Sequence, residues 1–313
     1  MKRKIILISR WAKMLAGKSY YHVPQPLGRS FHPGKLNGYF NDMTGKTGWK
    51  GLLDGGGIPV NQLIDGSTFY FATTIIQKAL GHHDQYLITG EKRELRKFIN
   101  ISDWLMKMQD EKGGWDVKKV MDLKGDLRYS AMPQGEAVSA LVRAWKQTDS
   151  KRYLDAAIKA YDLLTTPINK GGTAHYDNDR VYLEEYPAKG KNTVLNGWIF
   201  ALFGVYDLFL ATGNEEYRKL FDQSLLTLIA TLHVYDAGFW SYYDEKKALA
   251  SPFYHDLHIS QLEALSLVAG TDRIADYIEK WKGYRRKGIN RWSALFFKAY
   301  QKIKSPAPVV IIE

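Results

Sequence analysis

The stretch TGEKRELRKF at residues 89–98 decides the fold, because similar stretches recur along the chain. Each copy is a Thr-Gly or Thr-Asp turn followed by charged residues at helical spacing, and the copies begin 59, 64 and 59 residues apart. This amphipathic pattern predicts an outer helix with one face on a core and the other in solvent. The other copies are TDSKRYLDAA from Thr148, TGNEEYRKLF from Thr212 and TDRIADYIEK from Thr271.

A more apolar helical stretch precedes each of these turns, so the repeated unit is an inner helix, a short turn and an outer helix. Loops rich in Gly and aromatic residues, such as KGGWDV and DAGFWSYYD, then return the chain to the next inner helix. We therefore predict an all-α fold over residues 71–304, an α/α toroid or incomplete α/α barrel of repeated helix hairpins. An open solenoid is the structural alternative.

The two ends of the chain do not follow the repeat. Residues 1–70 are dense in Gly, Pro and aromatic residues, which predicts an irregular, partly strand-like N-terminal segment packed on the toroid. Residues 305–313, SPAPVVIIE, are predicted as a C-terminal tail after the last helix.

Composition narrows the chemistry and the partners. The 313 residues contain no cysteine and no HExxH helix, so we predict neither disulfides nor a metal site, and no cofactor is expected. A net charge of +11 favours polyanionic partners such as acidic polysaccharide, nucleic acid or anionic lipid. The apolar run before Arg10 is too short for a signal peptide, and no 18-residue apolar stretch is present. We expect a cytoplasmic protein with no membrane partner.

Two short segments carry candidate chemistry. YLEEYP at residues 182–187 places carboxylates and phenols together, and Pro187 argues against a continuing helix there. SPFYHDLH at residues 251–258 runs directly into an apolar helix. Its polar groups therefore lie near a helix N-terminus, where an anionic ligand is favoured.

Four blocks in order make the chain resemble the catalytic C-terminal domain of the D-glucuronyl C5-epimerases, which act on heparosan and heparan sulfate precursors. The resemblance implies an α/α-barrel catalytic domain, in agreement with the repeat, and an acidic, heparosan-like polysaccharide as partner rather than nucleic acid. The blocks are YSAMPQGEAVSALVRAW at 129–145, EEYPAKGKNTVLNGWIFALFGVYDL at 184–208, YDAGFWSYYD at 235–244 and YHDLHISQLEAL at 254–265.

Position by position, the resemblance implies that the family's catalytic glutamate is Glu185 and that the tyrosine after it is Tyr186. The tyrosines of the family's YD and YH motifs are Tyr243 and Tyr254. The asparagine of the VLNG motif is Asn196, for which we predict a role in binding substrate.

Five further residues are predicted to bind substrate. The basic pair that begins at Lys246 stands where the family carries an arginine. The resemblance does not by itself imply the calcium dependence or the dimer contacts of the animal enzymes, and a homodimer is left open. The five are Tyr129, Gln134, His255, His258 and Lys246.

Inversion at C5 of a glucuronate requires removal of a proton next to a carboxylate and return of a proton to the opposite face. Glu185 is the natural base and Tyr254 the natural partner on the other face, while donors stabilise the enediolate. A polysaccharide lyase shares the first step, and a glycoside hydrolase would need two carboxylates. A non-catalytic protein that binds acidic glycans or nucleic acid explains the charge but not the Glu/Tyr constellation.

Overall fold

A computed structural model describes residues 2–188, 191–304 and 311–313, without the side chains of residues 2–5 and 303. The described chain is mainly helical, with two small antiparallel sheets. The strands are β1 (Leu52–Leu53), β2 (Pro59–Gln62), β3 (Thr68–Phe69), β4 (Ala174–Asp177) and β5 (Arg180–Leu183). The helices are α1 (Lys2–Leu15), α2 (Ala72–Thr89), α3 (Lys92–Met108), α4 (Lys118–Met121), α5 (Ala131–Thr148), α6 (Lys151–Thr165), α7 (Leu195–Thr212), α8 (Glu215–Thr231), α9 (Pro252–Ala269), α10 (Ala275–Arg286) and α11 (Gly288–Lys304).

Four helix hairpins build the body, as the repeat predicts. They are α2–α3, α5–α6, α7–α8 and α9–α10, and the inner helices α2, α5, α7 and α9 pack on one another in that order. The outer helices pack each on its own inner partner. The prediction of an all-α, toroid-like fold is therefore confirmed.

The regular spacing of the hairpins has a local cause in the Thr turns. Thr89, Thr148 and Thr212 each end an inner helix, donate from Oγ1 to the carbonyl four residues back and accept from the N–H two residues ahead. The next residue, Gly90, Asp149 or Gly213, has positive φ and reverses the chain direction.

α7 is apolar on all sides because it lies at the centre of the row of inner helices. It is the one helix in the described ranges that is long and apolar enough to span a membrane, and 78% of that stretch is buried inside the protein. A Cβ on Gly204 would lie 2.2 Å from the Gly135 carbonyl oxygen, so these glycines let α5 and α7 approach closely. The pattern is typical of a core helix.

Residues 37–43 pack against three of the inner helices and so help to close the barrel. Phe40 stacks on Phe203 of α7 with ring centroids 4.0 Å apart, and the Tyr39 N–H donates to Asp84 of α2. The side-chain amide of Asn41 donates to Ser260 of α9. This segment thus connects the first and last inner helices, and it leaves the opposite, N-terminal ends of those helices open.

The ends of the chain differ from expectation in one respect. Residues 1–70 are predicted to be irregular, yet Lys2–Leu15 form α1, because Leu7, Trp11 and Met14 lie at helical spacing on a face that lines a cavity. Short helices gain most of their stability from such packing. Of the predicted tail 305–313, residues 305–310 lie outside the described residues, and Ile311 pairs with Leu63 of the N-terminal segment.

Candidate active site

A cavity of about 1090 Å³ opens at the N-terminal ends of the four inner helices. Its size suits a ligand larger than one small metabolite, since ligand pockets usually measure 300 to about 1000 Å³. Helix α1, helix α11 and the loop before α7 complete its walls. The polar residues that line it include Arg10, Tyr20, Tyr21, His22, Gln25, Lys46, Thr73, Thr74, Gln77, Ser130, Glu185, Tyr186, Asn196, Tyr243, Ser251, Tyr254, Lys298 and Lys302.

The direction of the inner helices favours an anion in this cavity. Each helix begins there, at residues such as Thr73 of α2, Ser130 before α5, Asn196 of α7 and Tyr254 of α9. The free N–H groups and the dipole of a helix N-terminus carry partial positive charge. Four such ends around one space create a positive potential without any charged side chain.

Glu184 and Glu185 point in opposite directions because they continue strand β5, in which side chains alternate. Glu184 turns away from the cavity and accepts a hydrogen bond of 2.8 Å from Thr193 Oγ1. Glu185 lines the cavity and is 5% exposed. Burial raises the pKa of Glu185 to about 8, so its carboxylate is a strong base for a glutamate.

Glu185 rests directly on the first turn of α7. A Cβ on Gly197 would lie 2.2 Å from Glu185 Oε2, so only glycine admits the carboxylate at this position. Oε2 has no hydrogen-bond partner among the protein groups that the structure describes. A buried carboxylate oxygen without a partner is costly, and it is available to a ligand.

Three phenols surround this carboxylate. The hydroxyl of Tyr243 donates to Glu185 Oε1 over 3.4 Å, and the rings of Tyr243 and Tyr254 are 4.9 Å apart at their centroids. Burial and then the negative charge of Glu185 raise the pKa values of Tyr186, Tyr243 and Tyr254. The phenols are therefore neutral at physiological pH and act as proton donors rather than as bases.

Asn196 lies beside them in the first turn of α7 and is 1% exposed. Its backbone carbonyl accepts from the side-chain amide of Gln261 on α9, which holds the two helix ends together. Its side-chain Oδ1 is buried and has no partner among the described residues. Glu185, Tyr186, Tyr243, Tyr254 and Asn196 are thus brought together, as the sequence predicts.

Three cations that the sequence did not single out reach the same cavity from the two ends of the chain. They are Arg10 of α1 and Lys298 and Lys302 of α11. Burial and then Lys302 lower the pKa of Lys298 to about 8, and burial and then Arg10 lower the pKa of Lys302. Lys298 Nζ lies 5.8 Å from the centroid of the Tyr243 ring. Like charges held this close favour an anion between them.

A second buried carboxyl was also missed. Glu136 of α5 is fully buried and accepts a 2.8 Å hydrogen bond from Gln77, which lines the cavity. Burial raises the pKa of Glu136 to about 8, against the influence of Gln77 and Lys46 and with a contribution from Glu185. The signal in the sequence is one acid within the apolar stretch GEAVSALV.

Tyr129 and Gln134 are not among the residues that line the cavity. The Tyr129 hydroxyl donates to Asp110 over 2.7 Å, and the Gln134 amide donates to the carbonyls of Gly113 and Ala160. These bonds fix the loop after α3 on α5 and α6. Their geometry is structural, so we assign neither residue a contact with substrate.

His255 and His258 are also directed away from the cavity. Both rings contact the Ser241 hydroxyl through Nδ1, at 2.8 and 3.0 Å, and His255 stacks on Trp240. Burial lowers the pKa of His255 to about 3 and that of His258 well below its usual value. Both imidazoles are therefore neutral and hold the loop 236–243 on α9.

Lys246 is exposed on the turn after Tyr243, and its backbone N–H donates to the side-chain oxygen of Asn192. It does not line the cavity, whereas Lys46, Lys298 and Lys302 do. In the described ranges, no group of three His, Asp or Glu side chains is arranged to hold a metal ion.

The structure is thus a barrel of helix hairpins with a carboxylate, three phenols and several cations at one end, an arrangement suited to an anionic ligand. Comparison with known proteins identifies the family. The family described as "D-glucuronyl C5-epimerase C-terminus" matches residues 109–283, more than half of the chain. The chain belongs to this family, which agrees with the resemblance seen in the sequence blocks.

Two curated relatives agree with this placement. The chain is 29% identical over 225 residues to the D-glucuronyl C5-epimerase of Caenorhabditis elegans, across 64% of this chain and 36% of that protein. It is 32% identical over 156 residues to an uncharacterized protein of Methanocaldococcus jannaschii, across 49% of this chain and 51% of that protein. The chain therefore spans between about a third and a half of these relatives' lengths.

Solved structures resemble the chain only distantly. One is the unsaturated glucuronyl hydrolase of Bacillus sp. GL1, with a TM-score of 0.45 at 14% identity, over 71% of this chain and 61% of that chain. Another is the family 76 glycoside hydrolase Bt3792 of Bacteroides thetaiotaomicron, with a TM-score of 0.44 at 16% identity, over 67% and 57%. Likenesses this distant indicate nothing about activity.

Proposed function

We propose that the protein is a C5-epimerase that converts D-glucuronate to L-iduronate within a heparosan-like polysaccharide. The observation that carries the proposal is Glu185, a buried base with an unpartnered oxygen beside two phenols. Membership of the epimerase family supports the same reaction. No redox step is needed, since the proton that leaves C5 is replaced by another.

Glu185 removes the C5 proton in this scheme. Its raised pKa of about 8 is matched to proton abstraction near neutral pH, because a general base works best when its pKa is near the operating pH. Tyr254, on the first turn of α9, donates a proton to the opposite face of the sugar. Tyr243 lies between the two groups and bonds the carboxylate, which keeps Glu185 in place.

The intermediate carries extra negative charge on the sugar carboxylate, and this charge needs preorganised donors. Lys298 and Lys302 face the cavity with no carboxylate in hydrogen-bond contact among the described residues, and Arg10 is near them. We assign these cations to the carboxylates of the substrate. Asn196 and Tyr186 provide the remaining polar contacts to the reacting sugar.

The substrate class follows from the shape and charge of the site. A cavity of about 1090 Å³ with four helix N-termini suits several acidic sugar residues better than one small anion. Aromatic side chains such as Trp11, Tyr20 and Trp49 line it and can pack on sugar faces. A cytoplasmic location and the oligomeric state stay predictions.

Incubation of the protein with heparosan and with N-sulfated heparosan in deuterated water tests the proposal. Deuterium at C5 in an intact chain, with iduronate formed, is the expected result. An unsaturated end group would instead indicate a lyase, and a new reducing end a hydrolase. Absence of any chemical change in a protein that binds the polymer would overturn the enzymatic proposal in favour of a binding protein.

A further inference from the structure

Helix α11 carries a continuous apolar stripe that faces away from the protein. Ile289, Trp292, Phe296 and Tyr300 follow one another at spacings of three or four residues, so they share one side of the helix. Their exposed fractions are 75%, 75%, 72% and 59%. Ala294, on the opposite side, is fully buried against the body. Isolated exposed apolar residues are ordinary, but an aligned stripe of this size marks an interaction surface.

The excess positive charge of the protein lies in its two terminal segments, and α11 belongs to one of them. Residues 42–279 contain 27 basic and 32 acidic residues, whereas residues 1–41 and 280–313 contain 17 basic residues and one acidic residue. α11 itself has no Asp or Glu, and Arg291 and Lys304 are exposed on it. Lys280, Lys282 and Arg285 pair with acids of the middle segment, but Arg286, Lys287, Arg291 and Lys304 form no salt bridge among the described residues, so basic side chains without acidic partners flank the stripe at both ends of α11.

The apolar stripe and the basic residues around it together indicate which kind of partner fits α11. A second copy of the chain would bring two basic surfaces together, which like-charge repulsion opposes. An acidic polysaccharide would satisfy the charge but leave Ile289 and Phe296 in water. An anionic lipid surface satisfies both, because apolar side chains enter the region between headgroups and acyl chains while Lys and Arg contact the headgroups. We propose that α11 docks the protein on an anionic membrane surface through this stripe.

Docking in this orientation would hold the cavity near the membrane. Lys298, Ala299 and Lys302 line the cavity from another side of the same helix. On α1, Ile8 and Leu15 also line the cavity, and they are 68% and 47% exposed. The sequence analysis expects no membrane partner because it finds no spanning segment, and the proposal departs from that expectation since surface binding needs no spanning helix.

Co-sedimentation of the full chain with lipid vesicles tests the proposal. We expect binding to vesicles that contain phosphatidylglycerol, little binding to phosphatidylcholine alone, and release at high salt. The double variant Trp292→Ser with Phe296→Ser should lose roughly tenfold or more in vesicle affinity, since it removes two aromatic rings that would insert into the bilayer. A matched control is Leu226→Ser with Leu267→Ser, whose side chains are 56% and 50% exposed outside this stripe and which should bind as the unmodified protein does.

Three outcomes would overturn the proposal. One is a protein that stays in the supernatant with anionic vesicles. The second is an unmodified dimer that becomes monomeric in the Trp292/Phe296 variant, which would assign the stripe to a second copy. The third is a variant that binds vesicles normally but loses affinity for heparosan, which would assign the stripe to the polymer. Far-UV circular dichroism and melting should be unchanged in the variant, because both side chains are exposed.

Discussion

Replacing Gly197 by alanine should displace the carboxylate on which the proposed proton abstraction depends. The added Cβ would lie 2.2 Å from Glu185 Oε2 and 2.7 Å from Glu185 Cβ, whereas ordinary contact begins at 3.4 Å. The backbone of Gly197 is held by the hydrogen bonds of α7, so the side chain of Glu185 has to yield. The contact is relieved when Glu185 shifts by about 1 Å toward the cavity that it lines.

A displacement of about 1 Å in a reacting group costs about 100-fold in rate. That loss corresponds to about 2.7 kcal/mol in the activation free energy. The effect on folding should be smaller, because overpacking costs about 1–3 kcal/mol while alanine gains about 1 kcal/mol over glycine within a helix. Gly197→Ala should therefore be a folded protein with a selective loss of proton exchange.

The assay is deuterium incorporation at C5 of heparosan, followed by NMR, together with thermal melting of each variant. Gly283→Ala on α10 is the matched control, because no atom lies within 4 Å of its added Cβ. It should exchange protons at the normal rate and be equally or slightly more stable. A Gly197→Ala protein that exchanges C5 protons as fast as the unmodified protein would refute the placement of Glu185 as the base.

Three further predictions concern single side chains. Glu185→Gln should lose about 100-fold or more in exchange, with Glu184→Gln close to normal. Because burial raises the folded-state pKa of Glu185 from 4.5 to about 8, its contribution makes folding less stable as pH rises through that interval. The melting temperature of Glu185→Gln should therefore exceed that of the unmodified protein at pH 8 and match it near pH 4; equal values at both would contradict the shift. Tyr254→Phe should lose net inversion yet retain some C5 deuterium exchange, and full epimerisation by this variant would exclude its role as donor. Lys298→Met should raise KM for heparosan roughly tenfold, with partial recovery in Lys298→Arg, and an unchanged KM would remove Lys298 from substrate binding.

The hairpin architecture could be predicted because its determinants are local. Thr89, Thr148 and Thr212 each form the same two hydrogen bonds with residues no more than four positions away. The path of residues 37–43 could not be predicted, because it depends on distant partners. Arg143, which pairs with Asp207, also donates to the Asn37 carbonyl 106 residues away. No sequence period encodes such contacts.

The residues of the candidate site also differ in how clearly the sequence signals them. Glu185, Tyr186, Tyr243 and Tyr254 were found because they belong to short blocks with a recognisable order. The cations came from the first and last helices, where Lys and Arg are abundant and carry no specific signal. His255, in contrast, lies in a recognised block but faces Trp240 and Ser241, since one face of a helix start points to the cavity and the other to the core.

The placement of these cations explains how one site can hold a base and an acid together. The pKa of Glu185 is raised by burial and by Asp244, and none of the cations at the cavity mouth opposes this. The pKa of Tyr254 is raised by burial and then by Glu185, while Arg10 acts in the opposite direction. In the proposed reaction, the influence of Arg10 falls on Tyr254, while no cation lowers the pKa of Glu185. Such a separation lets the carboxylate remain basic while negative charge that develops on the substrate is stabilised.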